Sequence, residues 1–428
     1  MVASIQSFAK YKLQGLIASA LFPSNRDDWY VLKGFSNEQN RVNNLAQPFA
    51  AFLAEQRLIS GKYFENFKDL SLTQSFVKSQ TAVAKPCLIE RISFKPTEEY
   101  FNKYKDVAYP AKNKHIVYFT GVDTRYQDCF ADISYAAKTT GASIHAFNYP
   151  GIKLHGGIIR EAKDLVNSGI AMVNQLIADG VNIDDIILQG DSFGAAIAIE
   201  VKQQFWQQSE VKIRLIANNT FDTFESAVID AIKSKCIIPN VLQYGVEPIL
   251  RATSWDVRPG DDYGVDTPYQ CHIQHIGDLT LPHSSLAGRV DLNKDDQDYI
   301  DPCPMEYLAY RARIASHNRA KIKDELVPYF EDKYGSNCAG EVDAHMADLC
   351  DLELPDGQDV YKVFVNDFLR SSQHYINSHP QKNEFQLPKF LTNSGLSMPI
   401  NNSFFAYKSL SESSENMLDK KDFDGPVI

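Results

Sequence analysis

The hydrophobic pattern changes character near residue 87. Before it, apolar residues recur at three-to-four spacing, as at Leu45, Phe49, Phe52 and Leu53, and this predicts a helical N-terminal addition over residues 1–86. Within it, Lys10 and Lys12 lead into an apolar run, Leu13 to Phe22, that Pro23 ends. The run is too short to span a bilayer, and no small-residue cleavage site follows it. Packing on the main domain is one reading of this stretch. The alternative is a membrane-surface or partner-binding helix at residues 5–22, which would make a peripheral membrane contact.

After residue 87, short continuous apolar runs alternate with longer helical stretches. Strands are predicted at 88–94, 115–119, 142–149, 185–189, 211–217 and 270–276. Helices are predicted at about 158–179, from 193 to about 208, and at 359–369. This alternation predicts βαβ units and a mostly parallel sheet with helices on both faces, an α/β architecture. Ligands of such sheets bind beyond the carboxyl ends of the strands, so the residues just after each strand are the ones to read for chemistry.

Two stretches interrupt the alternation, near 222–269 and 296–336, and read as insertions. The first carries Phe224, Leu250 and Trp255 and reads either as a lid with an apolar face or as core. The main domain is expected over 87–380. Beyond it, 381–428 reads as an irregular extension whose residues 411–424 are rich in Ser, Glu and Asp, an acidic tail.

Composition narrows the classes. The formal net charge is −11 and there is no dense Lys/Arg block, which argues against a nucleic-acid partner. Seven cysteines, an odd number at wide spacing with no CxxC pair, argue against a disulfide framework and a zinc site. Reduced thiols fit a cytoplasmic compartment. No stretch reaches the length of a membrane-spanning helix, which predicts a soluble protein.

The sharpest signal is Gly190-Asp191-Ser192-Phe193-Gly194, directly after the strand at 185–189 and before a helix opened by Ala195 and Ala196. At such a turn the Ser192 backbone is forced into a strained conformation that lifts the hydroxyl clear of the sheet, and Gly190 and Gly194 admit the neighbouring strand and helix. The helix N-terminus favours negative charge, and the Phe193 N–H is directed at a developing oxyanion. An ordinary strand-to-helix turn with serine as a cap is the competing reading.

With these motifs in order, residues 87 to 375 resemble the α/β-hydrolase superfamily. The Thr120-Gly121-Val122 turn resembles the family's His-Gly turn, with Thr120 in place of the histidine, and implies the Val122 N–H as the second oxyanion donor. Asn148-Tyr149-Pro150-Gly151 resembles the aromatic-x-Gly turn after the next strand, and Asn219-Thr220-Phe221 a turn of the esterase and thioesterase branches. Ile276-Gly277-Asp278-Leu279-Thr280-Leu281-Pro282 resembles the turn that carries the acid, and implies Asp278, with Asp222 as the alternative. His345, before the helix expected at 359–369, resembles the family's histidine; His374, His379, His317 and His283 remain alternatives. His155-Gly156-Gly157 looks like a lipase oxyanion motif but follows the wrong strand.

The resemblance implies a serine hydrolase of the esterase or lipase type, acting through an acyl-enzyme on an ester, thioester or amide, with no metal and no organic cofactor. Aromatic residues in the first insertion suggest a lipid, lysophospholipid or acyl-protein substrate. A non-catalytic protein of the same fold that binds a ligand or partner is the competing class. The helical addition, the insertions and the acidic tail also resemble hydrolase effectors that intracellular bacterial pathogens inject through type IV secretion.

Overall fold

The structure is a computed structural model, and it describes residues 2–21, 69–79, 87–122, 124–150, 159–235, 244–262, 269–273, 281, 284, 286 and 361–379. Its centre, among the described residues, is a seven-stranded sheet. The strands are β1 (Leu70–Ser79), β2 (Cys87–Pro96), β3 (His115–Phe119), β4 (Ser143–Phe147), β5 (Ile186–Asp191), β6 (Arg214–Asn218) and β7 (Gln270–Ile273). They lie in the order β1-β2-β4-β3-β5-β6-β7. The β1/β2 and β2/β4 pairs are antiparallel, and every pairing from β4 to β7 is parallel.

The parallel strands are short and apolar because both faces are covered. Ile116, Val117, Ile144, Ile187, Leu188, Leu215 and Ile216 are buried throughout. On one face pack α4 (Ala162–Ala178) and α5 (Phe193–Ser209). On the other lie α3 (Phe130–Thr140), which follows the short α2 (Glu98–Lys103) in helix order, and, after a π-helical turn at Tyr361–Val365, α8 (Asn366–Ser378). Ala195, Ala196 and Ala198 bring α5 close to the sheet centre. The start of α4 is fixed by a capping box between Glu161 and Asp164.

The sheet begins earlier than the sequence pattern predicts. Residues 1–86 read as a helical addition, yet Leu70–Ser79 forms β1 and pairs along its whole length with β2. The stretch with Leu45, Phe49, Phe52 and Leu53 lies outside the described residues. The helical part that is described is α1 (Val2–Leu21). It packs on the main domain: the Gln14 side chain donates to the Thr253 carbonyl at 2.9 Å, Lys10 donates to Ser254 Oγ at 3.1 Å, and Arg160 stacks 4.0 Å over the Tyr11 ring.

The stretch after β6 contains α6 (Phe224–Lys235), α7 (Val246–Thr253) and a short turn at Pro259–Asp262. Its Phe224, Leu250 and Trp255 are buried in the common core, whereas Tyr244 and Ile249 are exposed. Among the described residues, Phe224, Leu250 and Trp255, which read either as a lid face or as core, are core. The second insertion, 296–336, and the tail lie outside the described residues.

Candidate active site

Ser192 sits at the carboxyl end of β5, between the strand and α5, with φ 53° and ψ −119°. This is a region that L-residues avoid, and it persists where surrounding contacts over-determine it. Those contacts are visible. The Ser192 N–H donates to the Asn218 carbonyl at 2.8 Å, and the Ser192 carbonyl accepts from the N–H groups of Ala195 and Ala196 at 3.1 and 3.3 Å. The two glycines have steric reasons. A Cβ at Gly190 would lie 2.6 Å from Ala195 N and Gly194 C, and one at Gly194 would press into the Phe119 and Thr120 carbonyl oxygens. Both obstacles are backbone and cannot swing aside.

The turn after β3 lies alongside the serine. A Cβ on Gly121 would be 3.9 Å from Ser192 Cβ. The Val122 carbonyl accepts from the Thr124 hydroxyl at 3.1 Å, and the Thr124 N–H reaches the Gly121 carbonyl at 3.4 Å. Gly121, the residue before the expected donor Val122, is thus a spatial neighbour of Ser192, and Phe193, the other expected donor, follows it in the chain. The Phe193 side chain is buried and packs against Phe224 and Phe221, with ring centroids 5.3 and 5.9 Å away.

A polar network below the turn was not legible in advance. Asp191 accepts from the Tyr118 hydroxyl at one carboxylate oxygen and from Asn218 Nδ2 at the other, the latter at 2.9 Å. Burial, and then the neighbouring Asp191 charge, push the Tyr118 phenol well above its ordinary pKa, so it stays a donor. The only sequence signal for this network is the ionisable residue inside the Gly-x-Ser-x-Gly motif.

Asp278 and His345 lie outside the described residues. The flanks of the Asp278 segment are described. β7 ends at Ile273, whose carbonyl accepts from the Asn219 N–H at 2.8 Å. On the far side Ser284 and Leu286 are stapled to the turn after β6. Asp222 N–H donates to Ser284 O at 2.7 Å, Leu286 N–H to Thr220 O at 2.9 Å, and Ser284 N–H to the buried Asp230 carboxylate at 3.0 Å. Asp222 lies in that same turn.

Two alternative histidines fall at the wrong edge. Gln373 accepts from Arg214 at 3.2 Å, and Arg214 is the first residue of β6, whereas Ser192 follows the last residue of β5. His374 is exposed beside that contact, and His379 stacks on Tyr375 at 4.4 Å one turn further on. The sheet's full depth, roughly 13 Å for a five-residue strand, separates that edge from the serine.

No curated protein matches the chain in sequence. Residues 340–401 match the family described as SdbC, C-terminal domain. This span contains His345 and α8. Among solved structures, the chain is similar to an α/β-hydrolase from Vibrio vulnificus, with 13% identity, a TM-score of 0.39, and 61% of this chain and 75% of that one covered. It is also similar to an esterase from Pyrococcus furiosus, with 13% identity, a TM-score of 0.33, and 48% and 71% covered. The strand order, the antiparallel first strands and the strained serine between β5 and α5 define the α/β-hydrolase fold.

Proposed function

We propose that the protein is a serine hydrolase that cleaves a carboxylic ester or thioester through an acyl-enzyme. The observation that carries this reading is the Ser192 backbone at φ 53° and ψ −119°, on a turn held by Asn218 of β6 and, through Asp191, by Tyr118 of β3. Strain of this kind, of order 1–3 kcal/mol, is retained where a side chain must be presented in a fixed direction.

In this reading Ser192 Oγ attacks the acyl carbonyl carbon while His345 takes its proton as general base. Asp278 orients the imidazole and stabilises the imidazolium. The N–H groups of Val122 and Phe193 receive the oxyanion, each contributing about 2.7–4 kcal/mol. His345 then protonates the leaving alcohol or thiol. Water attacks the acyl-enzyme, its proton passes to His345 and then to Ser192, and the acid is released. Support for Asp278 is the likeness of its turn to the family's acid-bearing turn, and the chain leaves β7 at Ile273 on the same edge of the sheet as Ser192, an edge that Asp222, after β6, shares. Support for His345 is its place in the chain before α8.

The substrate class remains an acyl chain, as in a lipid, lysophospholipid or acyl-protein. The support for this class is that Tyr244 and Ile249, on the segment after β6, are exposed apolar side chains. Among the described residues no helix is long and apolar enough to cross a membrane. The acidic, serine-rich stretch 411–424 supports delivery of this hydrolase into a host cell by type IV secretion.

A fluorophosphonate probe tests the nucleophile. The wild-type protein is expected to label and Ser192→Ala is not. Equal labelling of the two, or none of the wild type, overturns the reading and favours a ligand-binding protein of the same fold. A chain-length series of p-nitrophenyl esters then reads the acyl preference.

A further inference from the structure

The elbow residue before the nucleophile is an acid, and both of its oxygens are occupied. Tyr118 reaches Asp191 from β3, and Asn218 reaches it from β6, so the strands on either side of β5 converge on one carboxylate. Asn218 does two things at once. Its carbonyl accepts the Ser192 N–H at 2.8 Å, while its Nδ2 donates to Asp191 Oδ1 at 2.9 Å. Two consecutive residues of the turn are therefore clamped by a single residue on the adjacent strand.

We propose that Asp191, Tyr118 and Asn218 form a positioning unit for the nucleophile. None of the three needs to touch substrate. Their role is to hold the Asp191-Ser192 peptide in its strained conformation, adding side-chain anchors to the backbone hydrogen bonds at Ser192. Tyr118 is 5% exposed and Asn218 is 5% exposed, so both donors are shielded from water and their bonds to a carboxylate are charge-assisted. This inference rests on the proposed role of Ser192 and adds residues that the motif itself does not identify.

The chemistry separates hydrogen bonding from charge. Asp191→Asn keeps an acceptor for Tyr118. Its new amide can donate to Asn218 Oδ1, a buried atom with no hydrogen-bond partner, once the Asn218 amide turns over. Asp191→Leu and Asn218→Leu keep the branching at Cγ, with a bulkier side chain, and break the unit.

The experiment measures the rate of fluorophosphonate labelling, together with kcat and KM on a p-nitrophenyl ester. Asp191→Leu and Asn218→Leu are expected to label about 10–100-fold more slowly and to lose kcat with KM retained, as misplacement of a reacting group does. Asp191→Asn is expected to recover most of that rate. Wild-type rates in both leucine variants overturn the proposal, as does an Asp191→Asn loss as deep as that of Asp191→Leu. A second measurement does not depend on activity. If the unit holds the strained Ser192 backbone, the fall in urea midpoint caused by Asn218→Leu is smaller in a Ser192→Gly background than in the wild type. Equal shifts in the two backgrounds overturn the proposal even if the wild-type protein never labels, whereas failure of the wild type to label removes only the hydrolase reading.

Discussion

The hydroxyl of Tyr361 donates to Oε1 of Gln189 at 3.0 Å, deep in the interior. Gln189 lies three residues before Ser192 on β5, and Tyr361 opens the π-helical turn that leads into α8. One bond thus ties the C-terminal part of the domain to the strand that presents the serine. Tyr361 also meets Tyr135 of α3 edge-on at 6.1 Å. Arg214 anchors the other end of α8 through Gln373.

Removing the Tyr361 hydroxyl leaves Gln189 Oε1 in a buried place without that donor. Tyr361→Phe is therefore expected to cost about 1–3 kcal/mol, more than the net value of an average hydrogen bond. Urea unfolding reads this directly. A Tyr361→Phe protein with a wild-type midpoint would mean that another donor reaches Gln189.

Ser192 is expected to be a stability liability. Glycine adopts its φ of 53° without the Cβ penalty, and the relief exceeds glycine's entropic cost in the unfolded chain. Ser192→Gly should raise stability by about 1 kcal/mol while abolishing labelling. A lower thermal midpoint for this variant would show that the serine conformation is not strained.

Gly194 behaves in the opposite way. Its missing Cβ is the space into which the carbonyls of Phe119 and Thr120 fit, so α5 can approach β3 only because this position has no side chain. Gly194→Ala must push the helix from the sheet or move the β3 turn that carries Val122. The variant is expected to lose about 2 kcal/mol or more and to label at least tenfold more slowly. Labelling at the wild-type rate would show that this close approach has no bearing on the site.

Much of this was readable because it is local. The run His115 to Phe119 is a strand with the bounds its apolar pattern predicts, and the Gly-x-Ser-x-Gly motif falls at the β5–α5 turn as expected. β1 was not readable. Its Ser71, Thr73 and Lys78 give a mixed pattern, because an edge strand paired on one side only is partly exposed. The clamp on Asp191 was hidden for a different reason. Tyr118 and Asn218 lie 73 and 27 residues away in sequence, and only the parallel register of β3, β5 and β6 brings them to one carboxylate. The aromatic residues after β6 leave two readings open in the sequence, since hydrophobicity alone does not distinguish a lid from a core that an insertion completes, and Phe224 and Trp255 are core.

The amino-terminal edge of the sheet carries a pH dependence of its own. His145 on β4 is buried, with Nδ1 2.8 Å from Ser93 Oγ on β2 and Nε2 2.9 Å from His115 Nδ1 on β3. Burial first, then the charge of Arg91, then His115, hold the His145 pKa well below its ordinary value. His115 is lowered as well, by burial and by Lys95 and Arg91, against the opposing pull of Asp185 and Asp179. Both imidazoles are therefore neutral in the folded protein at a pH where the unfolded chain begins to bind protons, near 6.5. Below that pH the unfolded state holds more protons, so acidification favours it. The stability is complete above about pH 6.5 and falls as the pH drops, with His145 contributing up to about 1.4 kcal/mol per pH unit. His145→Gln keeps a donor and an acceptor for Ser93 and His115 but does not titrate. Urea midpoints at pH 6.5 and 5.0, above the range where most carboxylates titrate, are expected to fall more steeply for the wild type than for His145→Gln. Parallel falls in the two proteins would show that His145 carries no part of the acid sensitivity.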